Sequence, residues 1–257
     1  ALLVGAMLLA RNVTRPLSRL AATARRVERG DYVGDIGVRR RDELGDLAMA
    51  FGNMQRGIAH REKKIAHQAF HDHLTDLPNR VSLQDRLQQA MQKARHSGTT
   101  LGVLMLDIDH FKEINDTMGH AIGDRVLIEL GRRLRDGVRD GDTSARFGGD
   151  EFVVLMEAAG DADALQRRAL ELHQALTTPL NVDALELYLG VSIGIALYPG
   201  HGDTPDELLR RADIAMYDAK QTDNRLCVYT PGRDAQHLYK LSLMHDLRRA
   251  IPNNELL

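Results

Sequence analysis

Tryptophan is absent from the 257-residue chain and aromatic residues make up only 4% of it, which argues against a surface that stacks on nucleic-acid bases. The one cysteine, Cys227, excludes an internal disulfide framework and fits a reducing compartment. A complete membrane span is missing too: the apolar start, Ala1 to Ala10, falls short of the roughly 20 residues that cross a bilayer. It reads as the end of a truncated membrane helix, and Arg11, Arg15 and Arg19 behind it place the downstream chain on the cytoplasmic side. A signal peptide would carry its basic residues before the apolar run, and these follow it. A frayed apolar helix end in a soluble protein is the alternative. The formal charge of -2 hides an asymmetry, because residues 1–64 hold 13 Lys or Arg against 7 Asp or Glu. This basic part is no nucleic-acid tail, since it follows an apolar start and runs into heptads. With 43% hydrophobic residues the chain can build one good core and a smaller module.

In that basic part Val13, Leu17, Leu20, Ala24 and Val27 alternate spacings of four and three. So do Leu44, Leu47, Phe51, Met54 and Ile58, after an irregular connector from Gly30 to Arg41. Two short heptad helices cannot bury their seams alone, so the spacing predicts pairing with a second copy as a parallel four-helix coiled coil. Pro16 in the opening turn, Gly30-Asp31 at the end of the first helix and Asp42-Glu43-Leu44-Gly45 opening the second resemble the HAMP signalling module. That resemblance implies transmission of a packing change and no chemistry. The second helix should run on past Ile65 towards Phe70 and reach a turn, Asp72 to Arg80. His67, His71 and His73 there match no zinc-site spacing.

Leu83, Leu87, Ala90, Met91 and Ala94 mark an amphipathic helix. Leu101 to Leu106 is an unbroken apolar run bounded by turn signals, hence a buried central strand, and it ends on Asp107-Ile108-Asp109. Carboxylates just past a buried strand are costly unless paired or coordinated. The alternative for Asp107 is a helix N-cap. Further on, Arg146-Phe147-Gly148-Gly149-Asp150-Glu151-Phe152 reads as a glycine-tipped turn between two antiparallel strands, with two carboxylates at its tip. If that hairpin lies beside the central strand, Asp107 and Asp150 meet at one rim. Two carboxylates, a backbone carbonyl and phosphate oxygens are what Mg²⁺ takes. Asn115, and Asp124 at the start of the following helix, offer an amide and a carboxylate suited to a purine edge.

Asp107-Ile-Asp-His-Phe-Lys112, Asn115-Asp116, Gly119-His120, Gly123-Asp124 and Gly148-Gly-Asp-Glu-Phe152 together resemble a GGDEF diguanylate cyclase over residues 72 to about 230. The resemblance implies that Asp107, Asp150 and the carbonyl of Ile108 hold Mg²⁺, with Mn²⁺ as the alternative ion, and that Asn115 and Asp124 read the guanine of GTP. Lys112 and Lys220 would contact phosphates, and Asp150 or Glu151 would activate the attacking 3′-hydroxyl. Arg139 and Asp142, set at the family's distance before Gly148, match its product-inhibition motif. They would bind cyclic di-GMP allosterically. Two facing domains of a homodimer would join two GTP molecules.

An amphipathic helix from Asp161 to Thr177, an alternating strand from Leu185 to Leu197 and a capping box at Thr204 to Glu207 complete the domain. The expected fold is α+β: a ferredoxin-like β-α-β-β-α-β layout, as in nucleotidyl cyclase and polymerase palms, behind an α-helical HAMP parallel coiled coil. After Lys220 the sequence departs from the family's Ala-Lys-x-x-Gly-Arg-Asn, since Asp223-Asn224-Arg225 stands there. The partner phosphate-binding arginine is either displaced to Arg225 or lost, which puts turnover in question but not nucleotide binding. Leu241 to Leu257 resembles the opening helix of an EAL phosphodiesterase domain, an ordinary amphipathic tail being the alternative. The resulting organisation is 1–10 end of a membrane helix, 11–64 HAMP module and connecting helix, 65–230 GGDEF domain, 231–257 linker and start of an EAL-like domain. The resemblance implies a GGDEF-EAL protein longer at both ends, anchored in a bacterial inner membrane with its catalytic domain in the cytoplasm. Two other functions stay open: a weakly active or inactive GTP-binding domain regulating a C-terminal cyclic di-GMP phosphodiesterase, and a cyclic di-GMP receptor.

Overall fold

A computed structural model describes residues 14–32, 42–157, 160–182 and 185–235. The apolar start, most of the Gly30 to Arg41 connector and the EAL-like tail lie outside the described residues. Among the described residues no helix is long and apolar enough to cross a membrane. The chain divides into two units, Ala1–Ala69 and Phe70–Leu257.

The first unit holds helix α1 (Arg15–Glu28) and most of helix α2 (Glu43–Phe70). Pro16 lies in the first turn of α1, where its missing N–H leaves no helical bond unmade. Leu20, Ala48 and Phe51 pack together. On α2 the buried positions are Gly45, Ala48 and Gln55, one place away from the heptad residues Leu47 and Met54, which stay exposed. The Gln55 amide donates to the carbonyl of Tyr32 at 2.7 Å, and the Tyr32 hydroxyl donates to Glu62 at 2.7 Å.

The second unit is a five-stranded sheet between helices. Helix α3 (Arg80–Ser97) starts where the Asn79 side chain accepts the Ser82 N–H and ends on Gly98 at φ +67. Strand β1 (Leu101–Ile108) is buried along its whole length. Helices α4 (Phe111–Met118) and α5 (His120–Gly137) then lead to the hairpin β2 (Thr143–Gly148) and β3 (Glu151–Met156). Helix α6 (Ala162–Leu176), a small pair β4 (Leu180–Val182) and β5 (Leu185–Leu187), and β6 (Val191–Tyr198) follow. Helix α7 (Pro205–Ala219) and β7 (Leu226–Val228) close the unit.

The sheet order is β2-β3-β1-β6-β7, antiparallel except for β6 and β7. Its first four strands are the ferredoxin-like set, with α4 and α5 together making the first crossover. Period-2 alternation sorts β1 between two cores. Leu104, Leu106 and Ile108 pack with Val126, Leu130, Leu165 and Leu172 of α5 and α6. Val103 and Met105 pack with Leu83 and Leu87 of α3 and Leu209 and Ala212 of α7.

Three expectations change. Asp107 is not an N-cap: it lies within β1, and α4 is headed by His110 at φ +59. Helix α5 starts at His120, so Asp124 sits in its second turn and does not open it. The alternating stretch from Leu185 to Leu197 is two strands, not one. The chain leaves the ladder at residues 188–190, where the Gly190 carbonyl accepts the Asp109 N–H at 2.9 Å.

Candidate active site

The site is built at the end of β1. There Asp107 pairs in register with Glu151 of β3 on one side and Ser192 of β6 on the other. Asp107 and Glu151 follow the parity of Met105 and Val153, so both project on the α3/α7 face. Helix α7 crosses that face directly over β6, because any side chain at Gly194 would overlap the backbone of Ala212 and Met216. Lys220, the residue that caps its C-terminus, thereby reaches the strand end, with Nζ 2.7 Å from the Asp107 carboxylate.

The Asp107 side chain is only 12% exposed. Burial pushes its pKa up, Lys220 opposes that, and the charges of Asp150 and Asp109 push it further up. Glu151 is also raised, first by burial and then by Asp213, Asp107 and Asp150. These carboxylates therefore repel one another around a single ammonium, an arrangement that a divalent cation relieves. Among the described residues no three His, Cys, Asp or Glu side chains already form a cage. A cation here would take two carboxylates and the backbone, which fits Mg²⁺ because it keeps most of its coordination for water and phosphate oxygens. The Ile108 side chain is buried, so only its carbonyl is available.

Backbone and side chain both hold the hairpin tip. Gly149 has φ +54, which few other residues tolerate. Arg146 donates to the Gly149 carbonyl at 3.0 and 2.7 Å and to Asp72 at 2.9 Å. Asp72 also accepts from the Thr75 amide and hydroxyl at 2.8 and 2.7 Å. Burial alone would raise its pKa, but these donors and Arg146 bring it below the usual carboxylate range. Sequence reasoning had assigned Arg146 and Asp72 no role.

Asn115 on α4 packs against the backbone of Gly123, where a methyl group would overlap its amide oxygen. Asp124, the residue after Gly123, is exposed, as is Lys112. Arg139 and Asp142 are also adjacent: Asp142 accepts the Arg139 N–H and the Glu157 N–H, each at 3.1 Å. Its side chain, 3% exposed, is ion-paired with Arg168. Arg168 and Arg139 line one cleft with Glu171. Arg225 does not join Lys220 at Asp107. Its guanidinium donates to the Lys220 carbonyl at 2.6 Å and lies 3.7 Å from Asp109.

Sequence reasoning also missed Arg168 and Asp213. Arg168 flanks the buried stripe of α6, and Asp213 is about two turns before Lys220 on α7. It lines a cavity of ≈ 310 Å³ with Glu151, Arg80 and Phe147. Only the fold reveals either partnership.

Carboxylates closing the central strand of a ferredoxin-like sheet, beside a glycine-tipped hairpin and a lysine, define a palm of the nucleotidyl cyclase type. The model of the diguanylate cyclase GGDEF domain family matches residues 69–225 and that of the HAMP domain residues 8–60. The chain belongs to the GGDEF family and carries a HAMP domain ahead of that domain. It is 44% identical over 200 residues to the bifunctional diguanylate cyclase/cyclic di-GMP phosphodiesterase MucR of Pseudomonas aeruginosa, covering 77% of this chain and 29% of that one. Diguanylate cyclase TpbB of the same organism is 41% identical over 223 residues, covering 83% and 51%. The chain thus spans 29% and 51% of these curated relatives. The crystal structure of the coiled coil and GGDEF domain of DgcB from Caulobacter crescentus, in complex with c-di-GMP, matches with a TM-score of 0.61 at 30% identity, covering 71% of this chain and 97% of that one.

Proposed function

We propose that the chain is a diguanylate cyclase in which each GGDEF domain binds one GTP and two domains of a homodimer condense the pair into cyclic di-GMP. The observation that carries this reading is the register of Asp107 against Glu151, with Lys220 2.7 Å from Asp107. Asp107, Asp150 and the Ile108 carbonyl would hold Mg²⁺, or Mn²⁺, which when bound neutralises charge on the triphosphate. Asn115 and Asp124 offer guanine an amide and a carboxylate, and Lys112 and Lys220 meet the phosphates. The 3′-oxygen of one GTP bonds to the α-phosphorus of the other, the bond to the bridging oxygen breaks, and pyrophosphate leaves. The hydroxyl proton passes to Glu151 or Asp150, and a raised pKa suits Glu151 to accept it. A second transfer closes the ring. Cyclic di-GMP binding at Arg139 and Asp142 would then restrain the dimer allosterically. The HAMP domain would relay a signal from a bacterial inner membrane to this cytoplasmic domain.

A second reading rests on Arg225, whose guanidinium is engaged by Asp109 and the Lys220 carbonyl. It makes the domain a weakly active GTP-binding regulator of a C-terminal cyclic di-GMP phosphodiesterase. A large gain in cyclase rate on combining Asp223→Gly with Asn224→Arg would favour it. A third reading, a cyclic di-GMP receptor, follows from the cleft of Arg139 and Arg168; calorimetry on Arg139→Ala tests it by loss of product binding.

The deciding experiment supplies GTP and Mg²⁺ to the purified chain and measures cyclic di-GMP by chromatography, with Asp150→Ala alongside. Product that disappears in the variant supports the cyclase. GTP binding without product turns the reading to the regulator.

A further inference from the structure

The turn that joins α7 to β7 contains a residue in an unfavourable backbone conformation. Arg225 has φ +50, the left-handed region that non-glycine residues rarely adopt. Its main chain is fixed on both sides: its N–H donates to the Thr222 carbonyl at 3.2 Å and its carbonyl accepts the Ile193 N–H at 2.8 Å. Such a conformation persists only where the surroundings enforce it. The side chain is fixed as well. One end of the guanidinium donates to the Lys220 carbonyl at 2.6 Å, and Nε stands 3.7 Å from Asp109.

Asp109 is a firm anchor. Its side chain is 9% exposed, its Oδ1 accepts the Ser192 hydroxyl at 2.7 Å, and it packs against Gly190, where a side chain would collide with its carboxylate. A carboxylate so buried needs a cation, and Arg225 supplies it. The two aspartates at the end of β1 are thus each met by a cation from one short turn, Asp107 by Lys220 and Asp109 by Arg225. The Lys220 carbonyl ties those cations together. Arg225 also faces a cavity of ≈ 510 Å³, lined with Asp109, His110, Ile114 and Tyr188, in which none of Asp107, Asp150, Glu151 and Lys220 takes part.

We infer that Arg225 is a positioning residue for Lys220 and not a phosphate ligand. By clamping the end of α7 to Asp109, it sets where the Lys220 ammonium stands over Asp107. The departure from the family pattern after Lys220 then replaces a second phosphate contact with a firmer placement of the first. This inference rests on the reading that Lys220 meets nucleotide phosphates at this site.

Arg225→Asn tests it in the full 257-residue chain, since asparagine tolerates the left-handed backbone while removing the cation. With a non-hydrolysable GTP analogue and Mg²⁺, the variant should bind about tenfold more weakly, and Asp109→Asn should match it. In a Lys220→Ala background, Arg225→Asn should change affinity by less than about twofold, because the two act as one unit. During turnover KM should rise with kcat nearly unchanged. The same tenfold loss in the Lys220→Ala background would make Arg225 a direct phosphate ligand and overturn the inference.

A second measurement needs no nucleotide. Acetylation of Lys220 by an N-hydroxysuccinimide ester, followed by peptide mass spectrometry, should be several-fold faster in Arg225→Asn than in the parent, because the ammonium is no longer held on Asp107. Unchanged labelling sinks the inference whatever the protein binds. Faster labelling in Arg225→Asn, with a parent that itself binds no GTP analogue, would keep the positioning of Lys220 by Arg225 and remove the cyclase reading.

Discussion

Glu151 is held under electrostatic pressure by its surroundings. Burial and the neighbouring Asp213, Asp107 and Asp150 all raise its pKa, so the folded state disfavours its ionised form. The sign follows from linkage: above the raised pKa the charge weakens the fold, and stability returns as pH falls through that value towards the unfolded one near about 4.3. Glu151→Gln removes the charge without changing the shape. After allowance for solvent screening, the variant should be more stable by a few tenths to about 1 kcal/mol at neutral pH, a gain that fades as pH falls through the raised pKa of Glu151 and is gone below about pH 4. If Glu151 is the proton acceptor of the proposed reaction, cyclic di-GMP formation should be lost in this variant, whereas retained formation would assign that role to Asp150. Urea titrations at several pH values check this, and a variant less stable than the parent at pH 7 would refute it. Asp72 has the opposite sign. Its lowered pKa means that its bonds to Thr75 and Arg146 stabilise the fold above the ordinary carboxylate pKa and fail as pH falls through the lower, folded value. Electrostatic strain thus gathers at the carboxylates of the candidate site, while the residues that hold the hairpin carry the stabilising charges.

Placement of these residues depends on how the elements lie on one another, and Gly194 is the position where that is most exacting. Its lack of a side chain lets α7 rest on β6 with backbone against backbone, so Lys220 arrives at the end of β1. Gly194→Ala should cost about 1–3 kcal/mol by overpacking, read from chemical denaturation. It should also weaken GTP binding, because α7 must move away from the sheet. Unchanged stability and affinity together would mean that the helix does not need this close approach. Elements of this kind differed in how far sequence reveals them. Strand β1 was legible because a short, unbroken apolar run between turn signals fits best in the middle of a sheet covered on both faces, and the hairpin because two glycines and two acids sit between apolar runs. The break between β5 and β6 was not legible, since residues 188–190 keep the parity of the alternation and the apolar positions continue in phase across it. The start of α5 was placed late because polar His120 and Gly123 precede its regular apolar stripe. Asp107 and Asp150 could be proposed as neighbours from their motifs. The Asp107–Lys220, Asp142–Arg168 and Asp109–Arg225 pairs could not, because each joins elements far apart in sequence through side-chain reach that no periodicity encodes.

For the molecule as a whole, the first unit leaves apolar surface uncovered within one chain. Helices α1 and α2 bury Leu20 and Ala48 against Phe51, while Leu17, Leu47 and Met54 are exposed by 44%, 50% and 49%. A 14-residue helix with so little core is marginal alone. Burying the exposed part of each of these side chains would contribute at most about 1.5–3 kcal/mol, and a second copy would gain it on both sides. The proposed chemistry makes the same demand, because each GTP must present its 3′-hydroxyl to the other's α-phosphate. Leu47→Glu combined with Met54→Glu places like charges along this seam. Sedimentation equilibrium should then show a shift from dimer towards monomer, and cyclic di-GMP formation should fall by at least about tenfold at micromolar protein. The affinity of each domain for a GTP analogue should be unchanged, since residues 47 and 54 belong to the other unit. A variant that remains dimeric and active would show that the chains pair elsewhere. A monomer that keeps full activity would show that one GGDEF domain completes the reaction alone and would overturn the proposed arrangement of one GTP per domain.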